Sequence, residues 1–285
     1  MDKSLIKIYI FCVNFYYICV LYTMKRALLI GINYFGSDAQ LEGCLEDIAS
    51  MREYLTARGY TEFTMLRDSK DDPYHLLADS PTRDHIIAAM VAAVASSSRG
   101  DTLYVHYSGH GAQLGDQDGD ETDYHDECIC PVDYASDKID NGFIRDDLMH
   151  AILVNALPTG VKLRVTFDSC HSGSAIDLPC RWDTTAEVIT ENSNNVPADV
   201  IFISGCKPDQ TSADSSFNGR PSGALTWAML KSLNEILQSG KFVNTYRWKD
   251  LVQMMRLKLR RGGYDQVPQL DMAKREQLSA IVDLV

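Results

Sequence analysis

From residue 25 onward, short apolar runs alternate with segments of helical period, and most runs end at a turn signal. Ala27–Ile32 is an apolar run closing at Gly31-Ile32-Asn33-Tyr34, which reads as a buried strand and a turn. Leu41, Leu45, Ile48, Met51 and Leu55 fall at helical spacing, with Gly59 as the stop. Phe63–Leu66 is a second short strand. Ser80-Pro81-Thr82 precedes a helix through Ile86–Ala95 that ends at Arg99-Gly100, and Thr102–Ser108 is the third strand. Gly115 to His125 is too polar to pack. Ile129–Val132 reads as a brief strand, Ile144–Leu157 as a helix bounded by Pro158, and Val161–Asp168 as a strand. Further on come a strand at Val200–Ser204 and helices over Ala224–Leu237 and Trp248–Leu259. Val267–Leu270 is a final short strand, its Pro268 favouring a sheet edge. This alternation predicts an α/β fold with a mostly parallel central sheet and helices on both faces.

The polar stretch 181–197, centred on Asn192-Ser193-Asn194-Asn195, reads as a linker between a larger block, 25–180, and a smaller one, 198–285. No repeat relates the blocks, so they are taken as parts of one sheet. With 285 residues, 45% of them apolar, the chain has material for a sizeable core. A net charge of −12 argues against a nucleic-acid partner, which would favour a basic face. The eight cysteines are irregularly spaced in a long chain, the pattern of reduced thiols rather than a disulfide framework. Residues 1–24 stand apart. Ile8–Tyr22 is almost wholly apolar, but short for a membrane span and without a small-residue cleavage site. Three readings stay open: a dispensable leader ahead of Met24, a membrane anchor through residues 5–22, or a folded element. The rest of the chain is expected in the cytoplasm.

Two segments carry candidate chemistry. The strand ending at Asp168 runs into Ser169-Cys170-His171-Ser172-Gly173, and the strand ending at Ser108 runs into Gly109-His110-Gly111. In parallel α/β sheets, reactive groups sit beyond the carboxyl ends of strands. A thiol at one strand end and an imidazole at another can therefore form a nucleophile and its base. The glycines flanking His110 clear space for a peptide, and the backbone amides of Gly111 and Cys170 are candidate oxyanion donors. His171 is a rival base, although adjacent side chains diverge. His106, inside its strand, is read as a core residue with its polar atoms satisfied. Asp116, Asp118 and Asp120 with Glu127 superficially match a calcium-binding helix–loop–helix, but Glu121 stands where that loop needs glycine. Cys128 and Cys130 lack the second pair a zinc site requires.

His-Tyr-Ser-Gly-His-Gly at 106–111 and Asp-Ser-Cys-His-Ser-Gly-Ser at 168–174 resemble the two catalytic motifs of the metacaspases. Asp118–Glu121, Pro131–Asp133 and Ser204–Asp214 are similar to further stretches of that family, in the order of its type I members. The resemblance runs from Lys25 to the C-terminus and implies a caspase-like three-layer fold and a monomeric cysteine endopeptidase. It implies cleavage of protein or peptide substrates after Arg or Lys, with Cys44, Asp47, Ser108 and Asp168 lining the pocket for that side chain. Two carboxylates facing a guanidinium make strong charge-assisted hydrogen bonds, so Asp47 and Asp168 suit the task chemically. It also implies activation by Ca2+ at Asp126, Asp146, Asp147 and Asp177, with Asp123 the competitor for Asp126. Self-cleavage after a basic residue is a family habit for which Arg181 is the candidate here. A metacaspase-like scaffold without activity is the competing class, and it predicts loss of Cys170 or His110.

Overall fold

Nearly continuous apolar strands are the mark of a sheet covered on both faces, and that is how the chain folds. The computed structural model describes residues 23–116, 124–135, 138–170, 175–182, 188–190, 198–205, 214–217 and 220–285. In chain order, β1 (Lys25–Gly31) leads to α1 (Cys44–Thr56), β2 (Glu62–Arg67), α2 (Arg83–Ala95) and β3 (Thr102–Ser108). A small antiparallel sheet follows, of β4 (Gly111–Gly115), β5 (His125–Ile129) and β6 (Ile144–Arg145). Next come α3 (Asp146–His150), with a π-helical turn over Ala151–Asn155, then β7 (Lys162–Asp168), β8 (Cys180–Trp182), β9 (Val188–Thr190) and β10 (Asp199–Ser204). A hairpin of β11 (Asp214–Phe217) and β12 (Arg220–Gly223) precedes α4 (Ala224–Gln238), α5 (Trp248–Gly262) and β13 (Gln269–Met272).

The main sheet has eight strands in the order β2-β1-β3-β7-β10-β13-β8-β9. The first five are parallel, and β13, β8 and β9 each run antiparallel to the strand before them in the sheet. Side chains alternate between two cores. Leu28, Ile30, Val105, Tyr107, Val165 and Phe167 face α2 and the turn after α3. Ala27, Leu29, Tyr104, Ile201 and Ile203 face α1, α4 and α5. This is the three-layer α/β arrangement expected from the pattern.

Local signals work as anticipated at several ends. The Thr82 hydroxyl accepts the His85 amide at 3.3 Å and caps α2. Gly59 and Gly263, both with φ of 82°, take the left-handed conformation just past α1 and α5. Other boundaries move. The brief strand expected at Ile129–Val132 lies earlier, as β5, because the Cys130 amide is drawn off the ladder to the His110 carbonyl at 3.1 Å. The helix expected over Ile144–Leu157 begins two residues late, since Ile144 and Arg145 pair with β5. Pro268 falls just before β13, which is an interior strand between β10 and β8 and not an edge. The polar stretch read as a linker contributes β9 and part of β8 to the sheet.

Candidate active site

Register sets the site. Ser108 pairs with Gly31 on one side and Asp168 on the other, so β1, β3 and β7 end at the same level. Beyond β3 the chain turns through Gly109 into His110. The His110 amide donates to the Tyr34 hydroxyl at 2.9 Å, and its carbonyl accepts from the Tyr107 hydroxyl at 2.7 Å. Tyr34 Oη donates in turn to the Cys130 carbonyl at 2.6 Å, and its ring lies 4.6 Å from the imidazole, centroid to centroid. Both tyrosines are fully buried.

The imidazole itself is oriented by backbone. His110 Nε2 lies 2.6 Å from the Ala39 carbonyl oxygen. A carbonyl only accepts, so Nε2 carries the hydrogen and Nδ1 is left as the basic nitrogen. Sequence reading missed Ala39, since a main-chain carbonyl leaves no signature in residue type. Cys170 is half-buried at the turn after β7. A Cβ on Gly111 would fall on the Cys170 carbonyl oxygen, so the histidine and cysteine segments touch backbone to backbone and only glycine fits. The neighbouring Cys130 is a different kind of thiol: burial, with Cys170 close by, pushes it up to about 12. It stays protonated and inert. His171, the rival base, lies outside the described residues.

His106 departs from expectation. It is fully buried on β3, yet neither ring nitrogen has a hydrogen-bond partner. Burial alone drives it down to about 3, so the ring is neutral, stacked on Tyr104 at 6.5 Å.

Near the His110 and Cys170 segments, Asp47 and Asp168 form a buried acidic pair. Asp47 reaches the sheet from the first turn of α1, where it accepts from Ser108 Oγ at 2.7 Å and Ser222 Oγ at 2.6 Å. The Gly223 amide adds bonds of 3.0 Å to each of its oxygens. Asp168 Oδ2 accepts from both the amide and the hydroxyl of Thr226 at 2.8 Å, in the first turn of α4, where free amides favour an anion. Gly223 is essential sterically, because a Cβ there would strike the carboxylates of both aspartates. Burial first, and the Asp168 charge second, push Asp47 up to about 7 against the pull of its hydroxyl and amide donors. Cys44 is buried at the start of α1, its amide donating to Asn33 Oδ1 at 3.0 Å. Ser222, Gly223 and Thr226 were not anticipated. Small residues opening a helix were the available signal, but nothing local tied Ser222 and Gly223 to Asp47, about 175 positions earlier, or Thr226 to Asp168, 58 earlier.

A second acidic group lies where the small sheet meets the start of α3. Asp126, Asp146 and Asp147 place carboxylate oxygens within 4.8 Å of one another, Asp126 and Asp146 buried and Asp147 not. Asp177, at a positive φ of 42°, is not one of the three. Asp123 lies outside the described residues. Burial first, then the charges of Glu127 and Asp126, push Asp146 up to about 8. Arg145 pairs with Asp126 and, at 3.0 Å, with Asp140. One guanidinium against this many carboxylates leaves an excess of buried negative charge, and the all-oxygen donor set fits a hard divalent cation. Arg181 is held inside β8 by Asp271 at 2.9 Å. A bond laid into the sheet in this way is closed to a protease.

The Tyr34 hydroxyl satisfies two backbone groups next to the imidazole, so its loss should be felt in stability. Tyr34→Phe is expected to cost about 1–3 kcal/mol, read from the denaturant midpoint, because buried polar groups are left unmatched.

Among the described residues no helix is long and apolar enough to cross a membrane. The family model for the metacaspase peptidase C14 domain matches residues 25–179. The Metacaspase-1 of Meyerozyma guilliermondii is 36% identical over 90% of this chain and 71% of its own length. That of Kluyveromyces lactis is 38% identical over 86% and 65%. A crystal structure of a Geobacter sulfurreducens protein, 25% identical, superposes over 90% of this chain and 97% of that one with a TM-score of 0.61. Motifs, fold and kinship agree that the chain belongs to the metacaspases, a family of cysteine peptidases.

Proposed function

We propose that this metacaspase is an endopeptidase that cuts after Arg or Lys. The buried Asp47–Asp168 pair carries the reading: all the donors to Asp47 are neutral, two carboxylates repel each other there, and a guanidinium or ammonium would relieve both. An Asp side chain at the same place would add a third negative charge. Cys170 Sγ is the nucleophile, and His110 Nδ1 takes its proton. The sulfur attacks the scissile carbonyl, whose oxygen is received by the amides of Gly111 and Cys170. His110 then returns the proton to the departing amine, and water cleaves the acyl-enzyme with the same histidine as base. Peptides identical but for Arg, Lys, Gln or Asp before the scissile bond test this. The expected order is Arg and Lys far ahead of Gln, with Asp inert. Equal turnover of Asp and Arg peptides would overturn the pocket assignment, and no turnover of any would favour the scaffold reading.

Calcium would be held by Asp126, Asp146 and Asp147, and would supply the positive charge that lets these clustered carboxylates ionise together. Removing it with a chelator is expected to suppress activity, and Asp146→Asn to raise the calcium concentration for half-maximal rate by roughly ten-fold or more. Equal rates with and without chelator would place the enzyme among calcium-independent members. Self-processing would need a basic residue more accessible than Arg181.

A further inference from the structure

A cavity of about 390 Å³ opens at the carboxyl end of β1 and β2, away from the pocket of Asp47 and Asp168. Phe35, Leu45 and Leu77 form its apolar wall, and Arg67, Lys70 and Asp79 its charged rim. Its floor is rigid. Asp68, buried to 2% exposure, accepts the Asn33 amide at 2.8 Å and the Phe35 amide at 3.1 Å. The far wall is also pre-set, since Asp72 accepts the amides of Leu76 and Leu77 at 2.8 and 3.0 Å. Leu77 is nonetheless 51% exposed, a large apolar side chain held in place and facing water.

Sheet order says what reaches this cavity. His110 protonates the departing amine, so the peptide beyond the scissile bond lies on the His110 side of Cys170. From β7, which carries Cys170, the sheet runs through β3, which carries His110, to β1 and then β2. Three strand spacings of ~4.8 Å give ~14 Å, and an extended peptide advances ~3.3 Å per residue. The third to fifth residues after the cut would therefore arrive at the cavity.

The charge of the rim says what they carry. The chain as a whole is at −12, but here Arg67 and Lys70 lie together at the rim, with Asp79 beside them and Asp68 below, its oxygens turned to the backbone amides of the floor. Asp79 engages Arg67 only loosely, at 3.6 Å with both side chains about half exposed. Lys70 Nζ lies 5.0 Å over the Phe35 ring, and among the described residues no carboxylate is ion-paired with it. We infer that this cavity is a second substrate-recognition site, taking an apolar residue with an acidic neighbour three to five positions after the scissile bond. The inference rests on the peptidase reading above.

Internally quenched peptides with Arg before the cut test it, differing only in Asp-Leu, Lys-Leu or Ala-Ala at the third and fourth positions after it. Asp-Leu is expected to raise kcat/KM roughly ten-fold over Ala-Ala, and Lys-Leu to give little gain. Lys70→Glu should reverse the order of Asp-Leu and Lys-Leu, and Leu77→Asp should abolish the gain of either. A ratio near one for every pair in the unaltered enzyme, or ratios unmoved by both variants, would overturn the site. Binding is measured separately: a labelled peptide corresponding to the product side of the Asp-Leu substrate, titrated into Cys170→Ala and followed by anisotropy. Saturable binding weakened about ten-fold by adding Lys70→Glu supports the site even if no Arg peptide is cut, in which case the peptidase reading alone fails. Cleavage without an extension effect, and no binding, removes the site and leaves the peptidase.

Discussion

Cys170→Ala is expected to lower kcat/KM on an Arg reporter by roughly 10⁴-fold or more while leaving the thermal midpoint almost unchanged. The size follows from what is removed: without Sγ no acyl-enzyme forms, and only the binding and oxyanion groups remain to help water. The small structural cost follows from where the side chain sits. Cys170 is half-buried on a turn, and the contact that fixes its segment runs from its own carbonyl to Gly111, which alanine keeps. His110→Ala should match it in activity but not in stability. The imidazole ties the 33–41 loop to the β3 turn through the Ala39 carbonyl at 2.6 Å, so deleting it releases a buried acceptor and costs about 1–3 kcal/mol. If the two groups act in one proton transfer, as proposed, the double variant should be no slower than either single. Multiplied losses would mean that they work independently, and a Cys170→Ala protein with undiminished turnover would end the assignment.

The parts of this site legible in the chain were those made of side chains at strand ends. β3 and β7 are apolar runs that stop abruptly at Ser108 and Asp168, and the residues that follow are reactive. A period-two pattern with a sharp end is local information, so both segments could be found without a structure. What supports them is not local. Ala39 acts through its carbonyl, and Gly223 through the absence of a Cβ against carboxylates from two other elements. Tyr34 reaches His110 from 76 residues away. The misplaced boundaries have a related origin. β5 holds the buried Asp126 and Glu127, a pattern too polar to read as a strand, and it is tolerated because Arg145 pairs with Asp126 from the neighbouring strand and the Glu127 amide donates to Asp146. β13 is interior despite Pro268 because the ladder begins one residue later. His106 is the converse case. Its position in the core followed from its strand, but its missing partners did not, since polar satisfaction depends on what packs across the sheet.

Asp47→Asn should move stability and activity in opposite directions. In the folded protein burial and the Asp168 charge hold Asp47 near 7, whereas in the unfolded chain it ionises near ~3.9. Between those values the folded state binds the extra proton. Its contribution is therefore fully present below about 4 and is lost as pH rises through about 7. An asparagine never ionises, and its amide can donate to Asp168. The variant should be more stable than the parent at pH 8 by about 1 kcal/mol, with a flatter dependence of the thermal midpoint between pH 5 and 8. Recognition goes the other way. A guanidinium that met two carboxylates would meet one, and losing a partner from a buried charge pair costs about 2–5 kcal/mol. The expected fall in kcat/KM for Arg peptides is roughly 10²–10³-fold, with Gln peptides little affected. The pH profile separates this from a merely structural defect. In the parent, KM for Arg peptides should drop between pH 6 and 8 as Asp47 ionises, and in the variant that drop should vanish. A variant that is both less stable and equally active on Arg would show that Asp47 is a fixed part of the frame. The opposite pair of changes would mean that the pocket keeps two like charges buried, at a cost to the folded state, because only a basic side chain can relieve them.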